Sequence, residues 1–202
     1  IAVVIADPAK AAERIGLLSR QMQRDGHGYH HFYGDGQGEF TKHCDDPLWL
    51  ILAVDEYLKE TGDFAVLDRI ESFLDGSPGT ILDHLLAVVD FAQTNVGKHG
   101  LPVFGRGDWN DTLDYIGGAD GGESVWGGMF YAAMLDRLAS LLEFRGGPAA
   151  THLDKVRAVR DAFRKSVEKN AWDGDWYIRA IGENDRRIGS AENAFGKIFI
   201  NA

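Results

Sequence analysis

The segment Leu48-Trp49-Leu50-Ile51-Leu52 lies inside a longer helical run, residues 45–61, that opens on a capping aspartate and Pro47 and is stopped by Gly62. A helix that is apolar nearly all round has no face to give to water, so other helices must enclose it. The rest of the chain offers them. Residues 8–24 are amphipathic, with Pro8 at the start and Ile15, Leu18 and Met22 on one stripe. Helical periodicity returns over 64–74, 80–96, 123–144 and 149–170, with glycine- and proline-rich turns at 75–79, 97–100 and 146–148. Residues 176–181, set off by Asp173-Gly174-Asp175, read as a short strand, with no comparable series of alternating strands elsewhere.

The connections are unequal. Those at 25–44, 101–122 and 171–193 are long, rich in glycine and loaded with aromatic and polar residues. Long loops in a compact domain are functional or disordered, and aromatic content argues against disorder. Antiparallel helix pairs with short turns at one end and long loops at the other gather all three loops around a common mouth. The expected fold is therefore all-α, an α/α toroid or part of one. Twelve helices of roughly 12 residues with connections of about 5 already use about 200 residues. The first residue is not Met, and the chain stops inside the apolar run 198–202. Both ends are read as cuts, so a single partial catalytic domain spanning 1–202 is expected.

Composition narrows the partners. A net charge of -10 without any basic run argues against nucleic acid and anionic membranes, which need clustered Lys and Arg. Cys44 is the single cysteine, no apolar run spans a bilayer, and residues 1–6 lack the charged leader of a signal peptide. A cytoplasmic protein is expected. With no phosphate loop, no nucleotide-binding glycine pattern after a strand and no serine elbow, no organic cofactor is implied.

The chemistry concentrates at Gly105-Arg106-Gly107-Asp108-Trp109-Asn110-Asp111. A Trp face stacks on the apolar face of a pyranose, Asn110 and Arg106 satisfy hydroxyls, and a carboxyl shielded by an aromatic keeps its proton as a general acid. The alternative is local structure: Asp108 caps a short helix, Asp111 sits in its first turn and Trp109 is core. In the first loop, Tyr29, His30 and Asp46 suit sugar hydroxyls, with Asp45 or Asp46 also serving the helix N-terminus. His30, His31, His43, Cys44 and both aspartates are ligand types, yet their spacing matches no compact tetrahedral motif and adjacent histidines point apart, so no metal is expected. Glu192, in the third loop, is either a substrate contact or a surface residue, and Glu123 either meets the helix dipole or joins the site.

Asp45-Asp46-Pro47-Leu48-Trp49-Leu50-Ile51-Leu52, Tyr57-Leu58-Lys59-Glu60-Thr61-Gly62-Asp63, Gly100-Leu101-Pro102 and Asp108-Trp109-Asn110-Asp111, preceded by Asp25-Gly26-His27-Gly28-Tyr29-His30, resemble the inverting β-glycoside phosphorylases of the cellobiose phosphorylase type, glycoside hydrolase family 94. The resemblance covers nearly the whole chain in order. It implies an (α/α)6 catalytic barrel and cleavage of a β-glucosidic disaccharide or oligosaccharide by inorganic phosphate, giving α-glucose 1-phosphate with inversion. It places the proton donor at Asp111, Trp109 beside the sugar and Asp46 on hydroxyls of the transferred glucosyl unit; Asp45 and Glu192 complete the expected substrate contacts. Relatives of this type are commonly dimers. Phosphate is already a nucleophile, so one protonated Asp suffices, with Asp108 ionised or structural. Departures are Ala191, where many relatives carry a basic residue before the Glu-Asn pair, and Asn201, near a phosphate-site His. The rival expectations are an inverting hydrolase on the same barrel and a carbohydrate-binding module without turnover.

Overall fold

The computed structural model describes residues 6–34, 36–113, 116 and 121–198. Asn201 and the end of the apolar run at 198–202 lie outside them. Five α-helices carry the described chain: α1 (Pro8–Ser19), α2 (Leu48–Thr61), α3 (Ile81–Thr94), α4 (Val125–Arg145) and α5 (Leu153–Ala171). The architecture is all-α, part of a helical toroid.

Local chemistry sets their limits. Asp7 accepts from Lys10 N ahead of Pro8 at the start of α1. Gly62 ends α2 in the left-handed region at φ 65°, where its N–H reaches Leu58 O. Thr80 and Asp83 form a reciprocal capping box at α3, and Ser124 Oγ takes Gly127 N at α4. As the apolar run requires, α2 is enclosed. Leu48, Ile51, Val54 and Leu58 join Leu85 and Val88 of α3, Tyr131, Leu135 and Leu138 of α4, and Phe163 of α5 in one core. Its one buried acid, Asp55, is paired with Lys59 and with Arg137 of α4.

Helix directions follow from the connections. Loops 25–44 and 101–122 run into the N-terminal ends of α2 and α4, while 171–193 leaves the C-terminal end of α5. α2 and α4 therefore run away from the mouth that α5 runs toward. Short strands sit in and between these connections: β1 (His31–Phe32) with β2 (Gly38–Glu39), β3 (Ile70–Ser72) with β4 (Pro78–Thr80), and β5 (Glu123–Ser124), β6 (Ala180–Ile181) and β7 (Arg187–Ile188) in one antiparallel sheet. In that sheet Ser124 pairs with Ala180 and Ala180 with Ile188, joining the end of the second loop to the third. Beneath it lies a smaller apolar cluster of Leu101, Val125, Val167, Ala171, Ile178 and Ile181.

Several expectations are corrected. Residues 64–74 form a 3-10 turn, Phe64–Asp68, and then β3, because Asp63 caps Ala65 N and Glu71 is drawn to Arg20 and Arg69. The strand expected over 176–181 joins the sheet only at its end, Ala180–Ile181, while Tyr177 forms an isolated bridge with Trp172 and Trp176 Nε1 is taken by Gly189 O. The helix expected from residue 45 starts at Leu48 after Pro47, with no side-chain cap, so neither Asp45 nor Asp46 serves as one.

Candidate active site

Backbone contact brings the first two loops together. Cys44 N donates to Gly107 O, and Gly105, at φ 61°, lies so close to Lys42 O that no side chain fits. The turn they share carries the Asp-Trp-Asn-Asp motif.

Within it Asp108 is fully buried. Its Oδ1 accepts from Arg179 Nη2 at 2.5 Å and from Asn110 N at 3.0 Å, and its Oδ2 from Ser124 Oγ at 2.5 Å. This is the acceptor-only pattern of a structural carboxylate, and it caps a turn of the loop instead of a helix. Asp111 opens a 3-10 turn, Asp111–Leu113, with its side chain 73% exposed and Oδ1 3.7 Å from His43 Nε2. Trp109, expected as core on the structural alternative, is 51% exposed. Its ring stands 5.5 Å from that of Trp49, which stands 4.9 Å from Phe130, itself 5.0 Å from Trp126. A row of aromatics thus runs back from the motif between α2 and α4.

The first loop contributes two imidazoles. His30 Nδ1 bonds Asp46 Oδ1 at 2.8 Å, and its ring stacks on His43 at 3.9 Å with 9° between planes. His43 is buried, with Nδ1 2.5 Å from Thr41 Oγ1. Burial holds His43 below the usual imidazole range, helped by His30 and Arg106, while Asp111 and Asp108 pull the other way. Asp46 Oδ2 is buried without a hydrogen-bond partner among the described residues, and burial raises this carboxyl against the opposing pull of His30. Asp45, 3% exposed, accepts from Trp49 Nε1 at 3.0 Å; burial pushes it up to about 7, with the charges of Asp46 and Asp108 adding to the rise.

His30, His43 and Asp111 offer ligand atoms within 4.8 Å of one another. A shared ion must lie close to the plane of each imidazole, however, and two rings stacked almost parallel share no such point. The arrangement suits a polar relay better than a metal centre.

Asp111, Trp109, Asn110, Arg106, His30 and Asp46 therefore lie together around His43, with Asp45 buried next to Asp46. Arg106 is exposed on its turn, close enough to disfavour charge on His43. Two expected contacts stand apart. Tyr29 packs its ring on Phe40 at 4.3 Å in the hairpin. Glu192 is exposed in a turn organised by Asp173, which takes Ala191 N, Ser190 Oγ and Arg187, and no contact among the described residues links its carboxylate to the cluster. Glu123 points away too, its oxygens held by His99 N and Nδ1. Sequence reasoning missed His43 as a site residue and Trp49 as more than core. For Trp49 the signal was its place one helical turn after Asp45; His43 stood out only as a ligand type, because Asp111 reaches it from the second loop.

The chain matches the model of the glycosyl hydrolase 94 superfamily catalytic domain over residues 1–202. It is 33% identical to a solabiose phosphorylase of Paenibacillus borealis over 96% of this chain and 25% of that protein. It is 31% identical to a 3-O-beta-D-glucopyranosyl-beta-D-glucuronide phosphorylase of the same organism over 98% of this chain and 26% of that one. An N,N'-diacetylchitobiose phosphorylase of Vibrio furnissii is 32% identical over 78% of this chain and 19% of its own length. The chain thus spans about a quarter of the length of the first two curated relatives. With an all-α partial helical barrel, an Asp-Trp-Asn-Asp turn and a family match from end to end, this chain belongs to the glycosyl hydrolase 94 superfamily, within its catalytic domain.

Proposed function

We propose that this chain supplies the general acid and the glycosyl-binding face of an inverting β-glycoside phosphorylase. Asp111 gives its proton to the glycosidic oxygen as the bond to the anomeric carbon breaks. A phosphate oxygen attacks that carbon from the opposite face, leaving α-glucose 1-phosphate and a free sugar hydroxyl. Phosphate is a co-substrate, and no organic cofactor or metal takes part. Trp109 offers its exposed face to the sugar ring, with Arg106 and Asn110 beside it. Asp46 holds a glucosyl hydroxyl, and Asp45 keeps Trp49 in place below.

The division of labour among three carboxyls carries this proposal. Asp108 is saturated by Arg179, Ser124 and Asn110; Asp46 has one buried oxygen without a partner; Asp111 is exposed beside Trp109. A buried acceptor without a donor costs roughly 1–3 kcal/mol, which a substrate hydroxyl relieves. The relatives' activities point to the same reaction class, since those three are named as phosphorylases.

The test is incubation of the full-length protein with cellobiose, laminaribiose or sophorose and inorganic phosphate. Glucose 1-phosphate is expected only with phosphate present, and Asp111→Asn is expected to abolish it. Free glucose released without phosphate would instead identify an inverting hydrolase. Such an enzyme needs a second carboxylate at roughly 6.5–9.5 Å to activate water.

A further inference from the structure

The proposed chemistry leaves His43 without a task. It does not reach the sugar face, since it is buried under the turn that carries Asp111. Gly107 lies directly over it: a Cβ there would stand 2.7 Å from His43 Nε2, so the motif turn is closed down onto the imidazole. The ring has little freedom, with Thr41 at Nδ1 and His30 stacked on one face. Its remaining nitrogen stands 3.7 Å from Asp111 Oδ1, longer than a hydrogen bond but within an ion-pair distance. Hydrogen bonds at active sites commonly tighten when substrate binds.

We propose that His43 is a positioning residue whose Nε2 orients the Asp111 carboxyl and determines whether its proton is available to the glycosidic oxygen. The proposal rests on Asp111 being the general acid. While His43 is neutral, with its Nδ1–H given to Thr41 Oγ1, the Nε2 lone pair accepts the Asp111 hydroxyl and holds the acid in one orientation. The pair shares that one proton: with it on Nε2 instead, the imidazolium pairs with the Asp111 carboxylate. The proton then sits on the imidazole, out of reach of the sugar. The charged and titratable groups facing His43 are His30, with Asp46 behind it, and Arg106, Asp108 and Asp111 from the motif turn. Burial, His30 and Arg106 all oppose a charged imidazole, and Asp111 and Asp108 favour it, so the first three bias the shared proton toward Asp111. Activity falls as pH rises and the pair loses its shared proton, so the alkaline limb belongs to His43 and Asp111 together.

Two measurements on the full-length protein test this. The first is the pH profile of kcat at saturating phosphate. His43→Gln, which keeps a polar group and never titrates, is expected to lower kcat about tenfold at the optimum and to move the alkaline limb at least about one pH unit toward acid, because a lone carboxyl holds the proton less tightly than the pair. His43→Phe, which fills the space without a polar atom, is expected to lose about 10²-fold in kcat with little change in KM. A His43→Gln profile superimposed on that of the wild type overturns the proposal. The second is the imidazole titration of His43 followed by NMR, which requires no activity. Asp111→Asn removes the carboxylate that favours protonation, so the midpoint is expected to move to lower pH; an unmoved midpoint overturns the coupling. If Asp111→Asn remains active, the general-acid assignment itself falls; if it is inactive while both readouts stay unmoved, only the role of His43 falls.

Discussion

Arg179 donates to Asp108 at 2.5 Å with both side chains almost wholly buried, and this pair joins the third loop to the turn that carries the proposed acid. Ser124 extends the link, since its Oγ donates to Asp108 while accepting Gly127 N at the start of α4. Arg179 also lies over the Phe104 ring at 5.6 Å, yet its Nε and Nη1 are buried without partners among the described residues. A buried guanidinium kept at that cost is fixing geometry, and the geometry it fixes is the position of Asp111 three residues on.

Breaking that pair is expected to be costly. Arg179→Met leaves the Asp108 charge buried and alone, a loss on the order of 3–5 kcal/mol in denaturant unfolding. Adding Asp108→Asn removes the stranded charge, so the double variant is expected to be less destabilised than the sum of the single changes. Additivity within about 0.5 kcal/mol would show that the two groups do not act as a unit.

Asp45 gives a stability prediction of definite sign. Its carboxyl is raised from 3.8 to about 7, so between those values the folded state binds a proton that the unfolded chain has released. Stability contributed by this group is greatest below the unfolded value and declines as pH rises toward 7. Asp45→Asn keeps an acceptor for Trp49 Nε1 and removes the buried charge. The variant is expected to gain stability over the wild type above pH 7, by up to a few kcal/mol, because each tenfold difference in proton affinity between the folded and unfolded states is worth about 1.4 kcal/mol. A wild type that remains the more stable protein at pH 8 would contradict this.

His84 behaves in the opposite sense. Buried on α3 against Phe73 at 3.8 Å, with Nδ1 2.8 Å from Thr80 O, it is held below the usual 6.5 by desolvation. Its contribution is fully present above that unfolded value and is lost as pH falls through the lower folded one. Unfolding free energies measured from pH 7 to pH 5 are therefore expected to fall less steeply in His84→Leu than in the wild type. Equal slopes would rule out a titrating His84.

Much of the site was legible along the chain because its members are close in sequence. Trp109, Asn110 and Asp111 occupy one turn, and Asp45 and Asp46 precede one helix, so residue type and order suffice to propose sugar chemistry there. The capping role foreseen for Asp45 or Asp46 failed because Trp49 Nε1 and His30, a turn ahead and sixteen residues back, compete for their oxygens. Glu192 and Tyr29 were included on residue type, but their surroundings are set by Asp173 and Phe40, which spacing does not reveal.

By itself the sequence determined the helical class, the enclosure of α2 and the three loops around one mouth, because hydrophobic periodicity and turn residues act over a few positions. Only the tertiary structure decided that Asp108 is spent on Arg179, that Asp111 stays exposed, and that His43 lies between His30 and the acid. Those outcomes rest on burial and on partners 71, 68 and 13 residues away. Desolvation and charge pairing depend on distance in space, and only the folded chain sets that distance.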